Sequence, residues 1–174
     1  PLRRQRQMCI RDRHTFDEFT QDTNNYMTKA RDIHGPWSKP VYLNSGGFDA
    51  SLFHDTDGRK WLLNMIWDET PQKNHFHGIE IQEYDVKREV LVGKRQRIYQ
   101  GSGRGMVEGP HMYHIGEWYY LLTAEGGTAE EHCVTIARSR CLYGPFETYE
   151  KPLLTAHNRP ELAIQYAGHG DLVE

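Results

Sequence analysis

The 174-residue chain sets 21 Lys plus Arg against 24 Asp plus Glu, a formal net charge of -3, so it lacks the basic excess of a nucleic-acid or anionic-membrane binder. Its apolar runs, such as Trp118 to Thr123 and Trp61 to Leu63, are too short to span a bilayer as a helix. Cys9, Cys133 and Cys141 are odd in number and lack CxxC spacing, so neither a disulfide framework nor a zinc site is signalled and isolated reduced thiols are expected.

In chain order, Pro1 to Arg13 is basic and polar without the apolar stretch of a signal peptide. Met8-Cys9-Ile10-Arg11-Asp12-Arg13 reads as translated sequencing-adapter sequence. Residues 1–13 are therefore expected to be a foreign or disordered leader, with an incomplete domain over 14–174. A missing true N-terminus, and a cytoplasmic rather than secreted location, are the matching expectations.

No segment shows a helical apolar period over a dozen residues, and short runs alternate with turn chemistry, which predicts an all-β fold. Ser51-Leu52-Phe53-His54, the turn set Asp55-Thr56-Asp57-Gly58 and Lys60 to Asn64 form a predicted hairpin, with glycine where positive φ is needed. His111 to His114 and Trp118 to Leu122, joined through Ile115-Gly116-Glu117, repeat that design. Further strands are predicted at Gly78 to Tyr84, Arg95 to Tyr99 and Cys133 to Ser139.

These units recur. Tyr26 to Arg31, Gly35-Pro36-Trp37 and Pro40 to Leu43 are matched by Val134 to Ser139, Gly144-Pro145-Phe146 and Pro152 to Leu154. The polar residues Asp49, Glu108 and His169 each lead a hairpin or strand start and are spaced by roughly 60 residues. That period fits propeller blades whose innermost strands begin near a central axis, with each leader facing one shared pocket. About three such units fit in this chain, whereas propellers close with roughly four to eight. Asp171-Leu172-Val173 is expected to enter a new strand, and a piece with open edges is expected to fold poorly alone.

Two carboxylates and an imidazole at equivalent places in successive units suit glycosidic hydrolysis, where an acid protonates the leaving oxygen and neighbouring charges tune it. Any single acidic leader is more often a turn cap; three in phase favour function. The runs Gly47 to Asp55, Val107-Glu108-Gly109-Pro110-His111, Tyr119 to Thr128 and Ala167-Gly168-His169 resemble family 43 of the glycoside hydrolases, close to its β-xylosidases, over about residues 14–174. The resemblance implies a five-bladed β-propeller that hydrolyses glycosides with inversion. It matches Glu108 to the general acid, Asp49 to the carboxylate that raises and orients that acid, and His169 to a histidine near the pocket floor.

Physics supports the division. A free glutamate titrates near ~4.3 and would be ionised at neutral pH, whereas burial beside Asp49 would let Glu108 keep its proton. From the residues alone Asp49 could instead be a base across the sugar, at the ~6.5–9.5 Å separation of inverting pairs. The resemblance assigns the base to a third Asp on a first blade that this chain lacks; Asp12 and Asp22 lie outside its motif, so no base is assigned and this chain is expected to be inactive by itself.

Other residues carry weaker signals. Phe48, Glu125 and His111 are expected around the pocket, Glu125 through hydrogen bonds or as a turn residue, and Trp67 could stack on a sugar. Gly101-Ser102-Gly103-Arg104-Gly105 lacks a Gly-Lys-Ser/Thr ending and reads as a flexible approach to Glu108, not a phosphate cradle. His75 and His77, with His54, His111 and His169, are expected to line surface or pocket, not a metal cluster. The resemblance allows a calcium ion near His169 at the propeller centre, with no cofactor required. Ser102, Ser139 and the cysteines lack a nucleophile motif. The implied partner is a xylo-oligosaccharide cut from its non-reducing end, without nucleic acid or membrane. The alternatives are an α-L-arabinofuranosidase of the same family and a non-catalytic propeller binding carbohydrate or protein.

Overall fold

The computed structural model describes residues 8–10, 23–70 and 73–173; Asp12 and Asp22, and the rest of the leader apart from Met8–Ile10, lie outside the described residues. The described residues are all-β, with no helix, and so none long and apolar enough to cross a membrane. They form three antiparallel sheets.

The first sheet orders β1 (Met8–Ile10), β2 (Asn24–Lys29) and β3 (Val41–Ser45). The second orders β4 (Ser51–His54), β5 (Lys60–Trp67), β6 (Phe76–Asp85) and β7 (Val90–Tyr99). The third runs from β8 (Glu108–Ile115) through β9 (Trp118–Glu125) and β10 (Cys133–Ser139) to β11 (Glu147–Thr148), with β12 (Leu154–Thr155) also on β10. Both predicted hairpins form, Ser51 opposite Leu63 and Met112 opposite Leu121.

The sequence repeat is a structural one. Gly35-Pro36 follows β2 and Gly144-Pro145 follows β10, and both peptide bonds are cis. The expected strand at Asp171-Leu172-Val173 is not formed among the described residues. There the Leu172 amide donates to the Tyr113 hydroxyl of β8 at 2.9 Å.

Strand alternation places the core on both faces of the second sheet. Trp61, Leu63 and Met65 of β5 join Phe53, Ile79 and Ile81 against Met112 and Leu121 of the third sheet and Val107 just ahead of it. Leu62, on the opposite face, packs with Met27 and Leu43 of the first sheet and with Tyr84. Leu62 and Leu63 are essentially fully buried, each contributing about 1.5–3 kcal/mol of transfer free energy. Where Asn64 shares the Leu62 face, polar groups replace this apolar packing, directly beneath the loop that carries Asp49.

Inner strands of adjacent sheets are joined by side chains. Ser51 Oγ donates to Pro110 O at 2.5 Å. The buried Asp55 carboxylate sits 2.7 Å from His114 Nδ1 and accepts from the Tyr119 hydroxyl at 3.1 Å. Tyr113 Oη of β8 donates to Asp171, outside the strands.

Candidate active site

Glu108 opens β8 at a bulge. It pairs with Ala124 and His111 pairs with Leu122, so Gly109 and Pro110 together oppose Thr123. An extra residue with the first in the left-handed region is the glycine type of β-bulge, and Gly109 has φ +55. Pro110 is tolerated because a bulged position leaves the ladder. Gly109 is required twice over, since a Cβ there would lie 2.8 Å from His169 Nε2. The Glu-Gly-Pro run is thus the sequence of a backbone irregularity that re-aims one carboxylate.

Asp49 lies between β3 and β4 at φ +54, a conformation that Asp tolerates better than most residues. His169 also has positive φ, +52. It is preceded by Gly168, where a Cβ would meet the ring of the buried His132 at 2.1 Å. His132 thus seats one side of the 167–170 segment and Gly109 the other.

The structure brings the three leaders together. One ligand atom each from Asp49, Glu108 and His169 lies within 4.8 Å of the others, and His169 Nε2 is 3.9 Å from Asp49 Oδ2. Glu108 is buried, Asp49 is partly exposed and His169 is exposed, so the trio opens to solvent at the imidazole. Burial, reinforced by the Asp49 charge, lifts the Glu108 carboxyl from an ordinary 4.5 to about 7. An approach within 4.8 Å is shorter than the ~6.5–9.5 Å of an inverting acid and base, so Asp49 does not fit that role opposite Glu108.

Among the described residues this trio is the grouping with donors close enough to hold a cation. It offers two carboxylates and one imidazole, whereas calcium takes six to eight oxygens, so the donor set does not fit calcium by itself.

His111 stands beside the trio, 3.6 Å from Asp171 through Nδ1. Burial pushes its imidazole below the ordinary value, against the pull of Asp171. Phe48 neighbours Asp49 in sequence, but its ring packs on Trp67 and Phe76 at centroid distances of 6.0 and 6.2 Å and joins the core. Trp67 stacks on His75 at 4.9 Å, and His77 is exposed against Arg97 and Asp68. Cys133 is buried and Cys141 exposed, both free thiols.

Glu125 is not part of the trio. It is fully buried and accepts from the Ser102 amide at 3.0 Å, the Ser102 hydroxyl at 2.8 Å and the Thr135 hydroxyl at 2.9 Å. Its carboxylate anchors the glycine-rich 101–105 loop that leads to Glu108, which selects hydrogen-bonded support over a simple turn residue. Asn25, Asn44, Asn64 and His132 were not singled out by sequence reasoning. The doublet Gly46-Gly47 ahead of Asp49 signals only a close backbone approach, since a Cβ on Gly47 would fall 1.8 Å from Met65 O.

Residues 11–174 match the family model Glycosyl hydrolases family 43. The chain is 54% identical over 155 residues to a xylosidase/arabinosidase 43B of Humicola insolens, and 51% identical over 155 residues to a beta-xylosidase of Bacillus subtilis strain 168. Each match covers 88% of this chain and 29% of the relative, so the chain spans about three tenths of the length of these curated relatives. The crystal structure of xylan beta-1,4-xylosidase from Bacillus halodurans C-125 superposes with a TM-score of 0.89 at 52% identity, covering 92% of this chain and 31% of that one. With the motif residues folded into one site and the match running across the described sheets, the chain belongs to the glycosyl hydrolases of family 43.

Proposed function

We propose that the complete protein carrying this chain is an exo-acting β-1,4-xylosidase, with Glu108 as general acid, Asp49 as the charge that holds and orients its proton, and His169 lining the pocket. The observation that carries the reading is the convergence of Asp49, Glu108 and His169, from three separate segments, within 4.8 Å. A buried carboxyl that titrates near 7 is still substantially protonated at neutral pH and can pass its proton to a departing glycosidic oxygen. The xylosidase names of the relatives at 54% and 51% identity support a xyloside substrate, and the near-balanced charge suits a neutral sugar.

The proposed setting is a five-bladed propeller in which the three sheets are successive blades, acting on xylo-oligosaccharides. Protonation and attack by water need no cofactor, and no step is assigned to calcium. No residue of this chain is assigned as the base. Inversion is the proposed stereochemistry; retention would instead require a nucleophile, for which Asp49 is near the ~5–5.5 Å spacing.

In full-length protein, Glu108→Gln is expected to lower turnover of a xyloside with a poor leaving group by about 10²–10⁴-fold, and far less with an activated one. Equal losses on both substrates would remove Glu108 from the acid role. The Humicola relative's double name supports an arabinofuranosidase as the second reading. Faster hydrolysis of an aryl arabinofuranoside than of an aryl xyloside would select it.

A further inference from the structure

Asp49 has no strand of its own, yet its loop is held from below. The carbonyls of Gly46, Gly47 and Phe48 are each engaged: Trp67 N donates to Gly46 O at 2.9 Å, Met65 N to Phe48 O at 3.1 Å, and Asn25 Nδ2 to Gly47 O at 3.0 Å. Two of these donors are backbone groups of β5. The third is a side chain from a different sheet.

Asn25 Nδ2 also donates to Asn44 Oδ1 at 2.8 Å, and Asn44 Nδ2 donates to Asn64 Oδ1 at 3.0 Å. Asn64 Nδ2 then donates to Met65 O at 2.7 Å and to Glu80 Oε1 at 3.1 Å. Glu80 Oε2 lies 3.2 Å from Arg95 Nε, and Arg95 Nη1 returns to Ser45 O at 3.3 Å. The relay leaves the Asp49 loop at one end and returns to the last residue of β3, just ahead of that loop, at the other. Each amide has only one sensible orientation, because a flip would set oxygen against the Gly47 carbonyl or against a neighbouring oxygen.

Asn25, Asn64 and Glu80 are all buried. Burying three such groups costs desolvation that Leu62, Met27 and Leu43 avoid nearby on the same interface. Their return is geometric: each donation fixes the orientation of the amide that receives it, although Asn25 Oδ1 is left buried without a partner, whereas apolar side chains can repack.

We propose that the Asn25–Asn44–Asn64 relay is a positioning device that fixes the Gly47 carbonyl and thereby sets the separation of Asp49 from Glu108. The inference rests on the acid role given to Glu108, and its test is separable from that role. In full-length protein, the Glu108 carboxyl carbon is followed by NMR against pH in wild type, Asn25→Ala and Asn44→Ala, with Glu108→Gln identifying the signal. Asn44 is only half-buried, so its variant breaks the relay at the middle with less disturbance of the core. The titratable groups facing Glu108 are Asp49 and His169, with His111 and Asp171 beyond them.

Expected is a fall in the Glu108 midpoint of at least half a pH unit in both variants, as Asp49 moves away, with KM for an aryl xyloside held within twofold and kcat reduced. A midpoint unchanged in both, whatever the loss of thermal stability, overturns the relay as a positioning device. Wild type that cleaves no aryl glycoside would remove the acid role, and the NMR midpoints would still decide the relay.

Discussion

Glu108→Gln should make the protein more stable, and increasingly so as pH rises. In the unfolded chain Glu108 loses its proton near the ordinary 4.5; in the folded chain it holds it to about 7, chiefly because of burial. Between those values the folded state binds a proton that the unfolded state does not, so stability falls as pH rises, and above 7 the full cost of an ionised Glu108 is present. At ~1.4 kcal/mol per pH unit the ceiling is ~3 kcal/mol. Solvent reaching the site past the exposed His169 reduces this to about 1–2 kcal/mol. Glutamine keeps the shape and has no charge to bury. Urea unfolding of full-length wild type and variant at about pH 4.5, 6 and 8.5 should show a small gap at the lowest pH that widens through pH 7 in favour of the variant. A gap independent of pH, or one that widens on acidification, would refute the account of how Glu108 holds its proton.

Asp49→Asn removes the charge that reinforces burial, so the alkaline limb of kcat/KM should move to lower pH; an unmoved limb would detach Asp49 from Glu108. Gly109→Ala adds a Cβ at positive φ and 2.8 Å from His169 Nε2, and should cost about 1–3 kcal/mol in urea unfolding. Glu125→Ala removes the acceptor of the Ser102 amide and hydroxyl, with an expected loss of about 1–3 kcal/mol and faster hydrogen exchange at Ser102; unchanged exchange would contradict the anchoring role. The 174-residue chain alone should show no xyloside hydrolysis, measured beside the full-length protein.

The strands were legible where turn chemistry bounds them: the Asp55 to Gly58 turn and the Ile115-Gly116-Glu117 link place both hairpins. β7 starts at Val90, five residues earlier than the predicted Arg95. The missed start, Val90-Leu91-Val92-Gly93-Lys94, is exposed or half-exposed and is a short apolar run ended by glycine, so no apolar–polar alternation marks it. The trio was legible because a phase relation survives in sequence when equivalent positions in successive sheets face one point. The amide relay was not. Asn25, Asn44 and Asn64 each look like ordinary turn or strand-end residues, and only sheet packing brings them into line. The third leader misled in part: His169 reaches the site, while the strand expected after it is replaced by side-chain bonds to Tyr113.

Glu108 sits on a strand braced by a ladder, whereas Asp49 and His169 sit on connections outside the strands. In the proposed roles the proton donor is the stationary partner and its electrostatic neighbours are the adjustable ones. Natural variation can therefore retune the working pH of such a site by substitutions beneath a loop, leaving every group that meets the sugar untouched. Relatives with identical pocket residues would then differ in pH optimum, and the difference would be sought in the buried layer between sheets.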